Sequence, residues 1–351
     1  MKSMKKIEFG LMTFADMAPE TVPGKGINAH ERIKNLLEEI KLADNLGIDV
    51  YGIGEHHRPD YAVSSPTTVL AAAAAITKNI KLSSAVTVLS SEDPVRVYQQ
   101  FATVDAISGG RAEIMAGRGS FIESFPLFGF DLNDYNELFD EKLDLLLKIN
   151  KEEKVSWQGT LRAPIHDLGV YPRALNGELP IWLAAGGTPA SAVRAAKLQL
   201  PLMLAIIGGM PSQFTPFINL YKKSALENGV KPEDLQVGIN NHMFVGEDGE
   251  KTADEFFPYY AQMMDRVGKS RGWQPMSREQ FEFMRSPEGS LMVGSVEQIV
   301  EKIIYEYELF GFTRFFAQAS LGFVPHELTM KSIELFATQV VPEVKRRLGV
   351  Q

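Results

Sequence analysis

The sequence predicts an α/β chain closed into a (β/α)8 TIM barrel, with insertions after strands four and seven, and three observations carry that prediction. Eight short apolar runs alternate with segments of helical periodicity along 351 residues; alternation implies a parallel sheet, and eight units imply closure. The open doubly wound sheet, the nearest competitor, carries a glycine-rich turn after its first strand, whereas Thr13 to Asp16 contains no glycine. No repeat of solenoid period and no low-complexity linker divides the chain, so residues 1–351 are expected to form one domain.

In chain order, Ile7 to Thr13 reads as the first strand, followed by a loop from Ala15 to Asn28 that is long enough to be a lid. Ile33, Leu36, Leu37, Ile40, Ala43 and Leu46 recur at helical spacing until Gly47, and Asp49 to Ile53 is strand two. Pro66 opens an alanine-rich helix to Ile76, and Lys81 to Leu89 is strand three. Asp93 and Pro94 are N-cap and first residue of a helix ending near Ile107. Gly109 and Gly110 then supply the positive φ that stops it, and Arg111 to Ala116 is strand four. A polar and aromatic loop, Phe121 to Tyr135, precedes a helix from Glu137 to Ile149. Residues 154–179 carry turn signals between short alternating runs, so the first insertion is expected to be a hairpin. Pro180 to Ala184 is strand five, with the helix Pro189 to Leu198 opening directly after Gly186-Gly187-Thr188. Leu202 to Ile207, a helix from Phe214 to Asn228, and Gln236 to Val245 continue the pattern. The second insertion, about 252–290, has no strand signal. Val296 to Phe310, Thr313 to Gln318 and Leu328 to Leu348 are the last helix, strand and helix.

Composition narrows the partners. A net charge of -8 argues against a nucleic-acid or anionic-membrane surface and points to a small-molecule ligand. The absence of cysteine removes disulfides, thiolate metal sites and cysteine nucleophiles. No run has the length of a signal peptide or a membrane span, so a cytoplasmic location is expected.

Closure brings the carboxyl ends of all strands to one face. That face would collect Thr13, Glu55-His56-His57, Arg118 between Gly117 and Gly119, Gly186-Gly187-Thr188, His242 and Gln318, while the opposite face would hold ordinary lysines and glutamates. A guanidinium beside bare backbone can grip a phosphate with two hydrogen bonds, although Arg118 reads equally as a surface arginine in a turn. The helix beginning at Pro189 points free N–H groups at whatever occupies the rim. Adjacent His56 and His57 face opposite sides of extended chain, which weakens a metal site built on them with His242, and no G-x-S-x-G elbow follows a strand.

At these residues the chain resembles the flavin-dependent bacterial luciferase-like monooxygenases, a family of (β/α)8 barrels. The matching pieces are Glu55-His56-His57, Ser84 to Leu89 with Asp93 to Arg96, Asp105 to Arg111, Gly117-Arg118-Gly119, Pro180 to Pro189, and Val293 to Glu297. The resemblance implies reduced FMN as co-substrate, O2 as the oxidant, an organic substrate, and a separate NAD(P)H:flavin reductase, since the chain has no dinucleotide fingerprint. Carried over, Arg118 matches the phosphate arginine, and Gly186, Gly187 and Thr188 match a second phosphate-binding segment. Ala85 and Val86 match a non-proline cis peptide or bulge under the flavin ring. His56 matches the catalytic histidine, a general acid or base with an ordinary pKa near neutrality, and His57 a neighbouring pocket residue. Thr13 and Gly117 are expected to line the same cofactor site, and no metal is expected.

One position departs from the family. True luciferases have a cysteine where this chain has Gly117, so light emission from a long-chain aldehyde does not follow. Family members can also use a deazaflavin coenzyme, and a non-catalytic flavin-binding protein on the same barrel is a further reading. The family commonly forms dimers near strands two to four, where Ala71 to Ala75 would permit close helix approach.

Overall fold

Eight parallel strands pair in chain order and close on themselves in the computed structural model, which describes residues 6–17, 27–269 and 271–350. They are β1 (Glu8–Thr13), β2 (Val50–Ile53), β3 (Lys81–Ser84), β4 (Ala112–Gly117), β5 (Ile181–Ala185), β6 (Leu202–Ala205), β7 (Val237–Gly246) and β8 (Arg314–Ser320). Closure is made by β8 against β1, in register from Glu8 opposite Arg314 to Met12 opposite Gln318. Met12, Val50, Met115, Trp182, Met203 and Phe316 fill the barrel, and a larger apolar layer seals the sheet against the surrounding helices. The barrel is therefore a packed core, and only its rims are free for chemistry.

Three of the helices begin where the sequence supplies caps. Asn28 and Glu31 form a capping box at the helix Ala29–Asn45, Asp93 accepts from the N–H groups of Val95 and Arg96, and Ser295 with Gln298 caps Val296–Phe310. Gly109, at φ 73°, ends Pro94–Ser108 as expected of a left-handed C-terminal glycine. The first insertion is the expected hairpin, Lys154–Trp157 antiparallel to Ile165–Gly169.

Two expectations need correction, and a third falls on residues that are not described. Strand three is not continuous to Leu89: β3 stops at Ser84, the Ala85–Val86 peptide is cis, and Thr87–Val88 resumes pairing higher on β4 before a single 3-10 turn. The second insertion holds two helices, Gly249–Lys269 and Arg278–Arg285, and is followed by a strand, Met292–Ser295, parallel to the end of β7. That strand is four residues long and runs straight into a capped helix, so its periodicity is too short to read. The loop expected as a lid falls largely on residues 18–26, outside the described residues.

The amino-terminal rim is also not ordinary. Glu8, Lys81 and Arg314 open their strands and Glu113 is second in β4, so strand alternation brings all four to the axis. Arg314, 1% exposed, bonds Glu8 at 2.5 Å and Glu113 at 2.8 Å, and its guanidinium lies 4.2 Å over the Trp182 ring. Lys81 reaches Glu8 at 2.7 Å and Glu113 at 3.2 Å.

Removing one partner from such a buried network leaves charge uncompensated. Arg314→Met is therefore expected to lower stability by about 3–5 kcal/mol, read as a shifted urea midpoint at unchanged slope. A loss below about 1 kcal/mol would mean the guanidinium is dispensable to closure.

Candidate functional site

At the carboxyl rim, β4 and β5 together build a seat for an anion. Arg118 follows β4 and donates from Nη1 to Asn136 Oδ1 at 2.8 Å and from Nη2 to Ser191 Oγ at 3.0 Å. Ser191 lies in the first turn of the helix Pro189–Lys197, and its hydroxyl is 2.7 Å from that of Thr188. No side chain caps this helix; Pro189 has no N–H and the Ser191 N–H donates to Thr188 O at 2.9 Å, so what the helix offers beside the guanidinium is the Ala190 N–H and its positive end. Gly186 has nothing within 4 Å of where a Cβ would stand, and Gly187 needs its φ of 105° to make the turn. Arg118, Gly186, Gly187 and Thr188 are thus brought together as the barrel topology predicts.

Across the mouth sits a dry aromatic cage. The His56 ring, 8% exposed, meets Phe14 at 4.5 Å, Tyr61 at 4.4 Å and Phe121 at 5.0 Å between centroids. Burial, with smaller contributions from the Arg58 and His57 charges, pulls its pKa down to about 3, so at neutral pH the imidazole is neutral. The ordinary near-neutral pKa does not hold, because burial strips the charged ring of its solvation. Its Nε2 is buried and has no hydrogen-bond partner among the described residues, which makes it available to a bound molecule. His57 differs from its neighbour. Its Nε2 is 2.8 Å from Glu55 Oε1, and Glu55 Oε2 accepts from the Val88 N–H at 3.0 Å. His57 is thereby tied to the segment that follows the cis peptide.

The remaining expected residues divide. Ala85 and Val86 form the cis peptide at the barrel wall, and Val86 leans over Gly117, where a Cβ would fall 2.7 Å from its Cγ2. Gly117 therefore makes room for Val86 in addition to leaving backbone bare. Thr13 is corrected: its hydroxyl donates to Ser320 O at 3.1 Å and accepts from the Ala15 N–H, turned toward Arg32 and away from the barrel interior. It shapes the rim from behind and has no group free for a cofactor. His242 lies opposite Gln318 in register, with Nδ1 3.2 Å from the Tyr260 hydroxyl, and among the described residues no three His, Asp or Glu side chains are grouped to hold a metal. Asn136, Ser191, Phe14 and Tyr61 were not singled out by sequence. Ser191 had a readable signal, the third helical position after the glycine turn; Asn136 had none.

A family profile described as Luciferase-like monooxygenase matches residues 7–314. The 4-hydroxyprotoasukamycin monooxygenase of Streptomyces nodosus subsp. asukaensis is 25% identical over 324 residues, covering 87% of this chain and 85% of that protein. The crystal structure of the monooxygenase RslO1 from Streptomyces bottropensis has a TM-score of 0.83 at 25% identity, over 96% of this chain and 99% of that one. The fold is shared by the oxygenating constituent of 3,6-diketocamphane monooxygenase from Pseudomonas putida, solved with FMN, at TM-score 0.76 and 20% identity over 96% and 99% of the two chains. It is shared equally by an F420-dependent secondary alcohol dehydrogenase, solved with an F420-acetone adduct, at 0.76 and 17% over 97% and 99%.

Burial of His56 has a consequence for acid stability. Its folded-state pKa lies below the unfolded value, so the unfolded chain binds more protons between about pH 6.5 and 3, and stability present above that window is lost as pH falls through it. His242, pulled down to about 4 by burial, acts in the same direction. In urea titrations from pH 7.5 to 4.5, the stability difference between the wild type and His56→Gln should be constant above pH 6.5 and shift against the wild type by up to about 1.4 kcal/mol per pH unit below it. A difference independent of pH would show that His56 is not held neutral.

Proposed function

The chain belongs to the luciferase-like monooxygenases, and from that premise we propose that it is the oxygenating component of a two-component system, binding reduced FMN and using O2 to oxygenate a small organic substrate. The observation that carries the cofactor reading is the hydrogen bond from Arg118 to Ser191 at a helix N-terminus that no side chain caps, which sets a cation beside the positive end of the helix. A phosphate monoester fits that pairing in charge and in donor geometry. Two further features suit a flat ring beside it: the open backbone at Gly186 and the orphaned Nε2 of His56. The monooxygenases at 25% identity support oxygenation over the deazaflavin reading.

When bound, reduced FMN supplies the electrons that activate O2. The chain's own residues would do the rest. Arg118, with the Ser191 hydroxyl and the Ala190 N–H, would fix the phosphate and thereby the position of the ring. Phe14, Tyr61 and Phe121 keep water from the reacting end. Neutral His56 is set to accept a hydrogen bond at Nε2, orienting a donor on the bound molecule, while Glu55 holds His57 against the wall. Ten residues separate the end of β1 from the Gly24-Lys25-Gly26 run, so the sequence has no tight dinucleotide turn directly after the strand, which supports delivery of reduced flavin by a separate NAD(P)H reductase. A homodimer fits the helix Pro66–Ile76, where Ala72, Ala75 and Ile76 are exposed.

Arg118→Ala should weaken FMN about 10–100-fold and riboflavin less than about threefold, measured by fluorescence quenching. Equal losses for both ligands would remove the phosphate contact. His56→Ala should leave FMN affinity within about threefold while lowering flavin-dependent turnover of a substrate found by screening about 100-fold. Unchanged turnover would strip His56 of its role.

A further inference from the structure

The carboxyl rim has a third sector, on β6 to β8, that the anion seat and the aromatic cage leave unused. Strand alternation fixes what it presents. Met203, Gly238 and Phe316 face the barrel interior, since a Cβ at Gly238 would meet Met203 and Trp182, and Phe316 packs in the same interior cluster. Two residues on, Ala205, Asn240 and Gln318 face the same way, and His242 follows Asn240 at the level of Gln318. Ala184 and Ala205 are only half-buried although they face inward, so the mouth is open beside this sector. His242 and Gln318 are neighbours in register, 6% and 2% exposed. The Gln318 amide makes no hydrogen bond among the described residues, nor does His242 Nε2, and neither is sealed from solvent as His56 Nε2 is.

The other ring nitrogen decides how the free one works. Nδ1 lies 3.2 Å from the hydroxyl of Tyr260, which comes from the helix Gly249–Lys269 and is 1% exposed. That hydroxyl has no second partner among the described residues, and burial pushes its pKa well above the ordinary value. It therefore keeps its hydrogen and has only Nδ1 to give it to. With Nδ1 as acceptor, the ring's own proton sits on Nε2, directed away from Tyr260. Burial lowers the His242 pKa to about 4 with no charged neighbour contributing, so the ring is neutral and its surroundings hold no charge that would balance an ion. A neutral acceptor is what such a donor can satisfy.

We propose that His242 Nε2–H and the Gln318 side-chain amide form a donor pair for a carbonyl oxygen bound in the mouth, with Tyr260 as the positioning residue that sets the tautomer. Two N–H groups on adjacent strands can share the two lone pairs of one carbonyl oxygen. Two molecules could bring that oxygen: a ketone or aldehyde substrate, a reading that rests on the function proposed above, or the flavin itself through a carbonyl of its ring.

Long-range proton–nitrogen NMR spectra of the flavin-free protein near neutral pH read the tautomer directly, with His242 assigned by its loss in His242→Gln. The wild type should carry the proton on Nε2, and Tyr260→Phe should populate both tautomers; a wild-type proton on Nδ1 would overturn the proposal. Cyclohexanone at about 50 mM should shift the Nε2 resonance at least about threefold more than methylenecyclohexane, which has the same shape without the oxygen. Gln318→Met keeps length and removes the donor, so it should weaken the bound carbonyl compound about 5–10-fold. Loss for cyclohexanone alone assigns the carbonyl to a substrate, equal loss for FMN and riboflavin alone assigns it to the flavin ring, and loss for all three supports a seat open to either. No response of His242 to cyclohexanone or flavin, or binding of both unaffected by Q318M, overturns the pair. The tautomer and the ketone are read without flavin, so failure of the flavin reading leaves those results standing.

Discussion

A single guanidinium laid across the barrel axis holds the fold closed. Arg314 begins the last strand, and its donors are divided between Glu8 on the first and Glu113 on the fourth, with its flat face on Trp182 of the fifth. Burying these charges is expensive, and the arrangement is tolerable only because every charged partner is met by hydrogen bonds, Lys81 supplying the remainder. Planar, two-pronged geometry also makes the contact specific to register, since a one-residue slip of β8 would turn Arg314 outward and leave both glutamates to Lys81. With the register fixed at the amino-terminal end, Met12, Gln318 and His242 fall on one level near the other end, and the loops that carry the candidate site start from determined positions.

The rim built on that frame is electrostatically divided. Its β4 and β5 side carries a permanent positive charge, partly open to solvent, at a helix N-terminus. Its β1 and β2 side is a ring of aromatic edges around a neutral imidazole. A charged tail and a reacting ring make opposite demands: the first is held best by ionic hydrogen bonds, the second by exclusion of water, which raises the worth of each remaining polar contact. Glu55 shows how the two histidines of one dipeptide are sorted. By accepting from the Val88 N–H and bonding His57, it fixes one ring to the wall, and the chain geometry then sends the other into the cage.

Much of this was readable from residues. Asp93-Pro94 and Gly109 marked helix ends because capping is local chemistry, and the rim residues Arg118, Gly186, Gly187 and Thr188 followed from strand order alone. What escaped depended on contacts between distant segments. Thr13 ends β1 at the mouth, yet strand alternation turns its hydroxyl outward, and Phe14 takes the inward place. The depressed pKa of His56 comes from Phe14, Tyr61 and Phe121, residues up to about 65 positions away that no local pattern links. The buried ion cluster at the other rim was hidden because a lysine or glutamate that opens a strand looks like any surface charge until the barrel closes around it.

Gly117 joins these levels. Read locally, it frees the backbone before Arg118; in the fold, it is the space into which the Val86 side chain projects from the segment after the cis peptide. A larger residue at 117 would meet all three side-chain carbons of Val86 within 2.9 Å, so the two positions are coupled across neighbouring strands. A cysteine there, as in true luciferases, requires either a smaller residue at 86 or a displaced wall beside Glu55 and His57. The wall that supports the cage and the segment that leads into Arg118 are thus packed against each other through one contact, Val86 on Gly117.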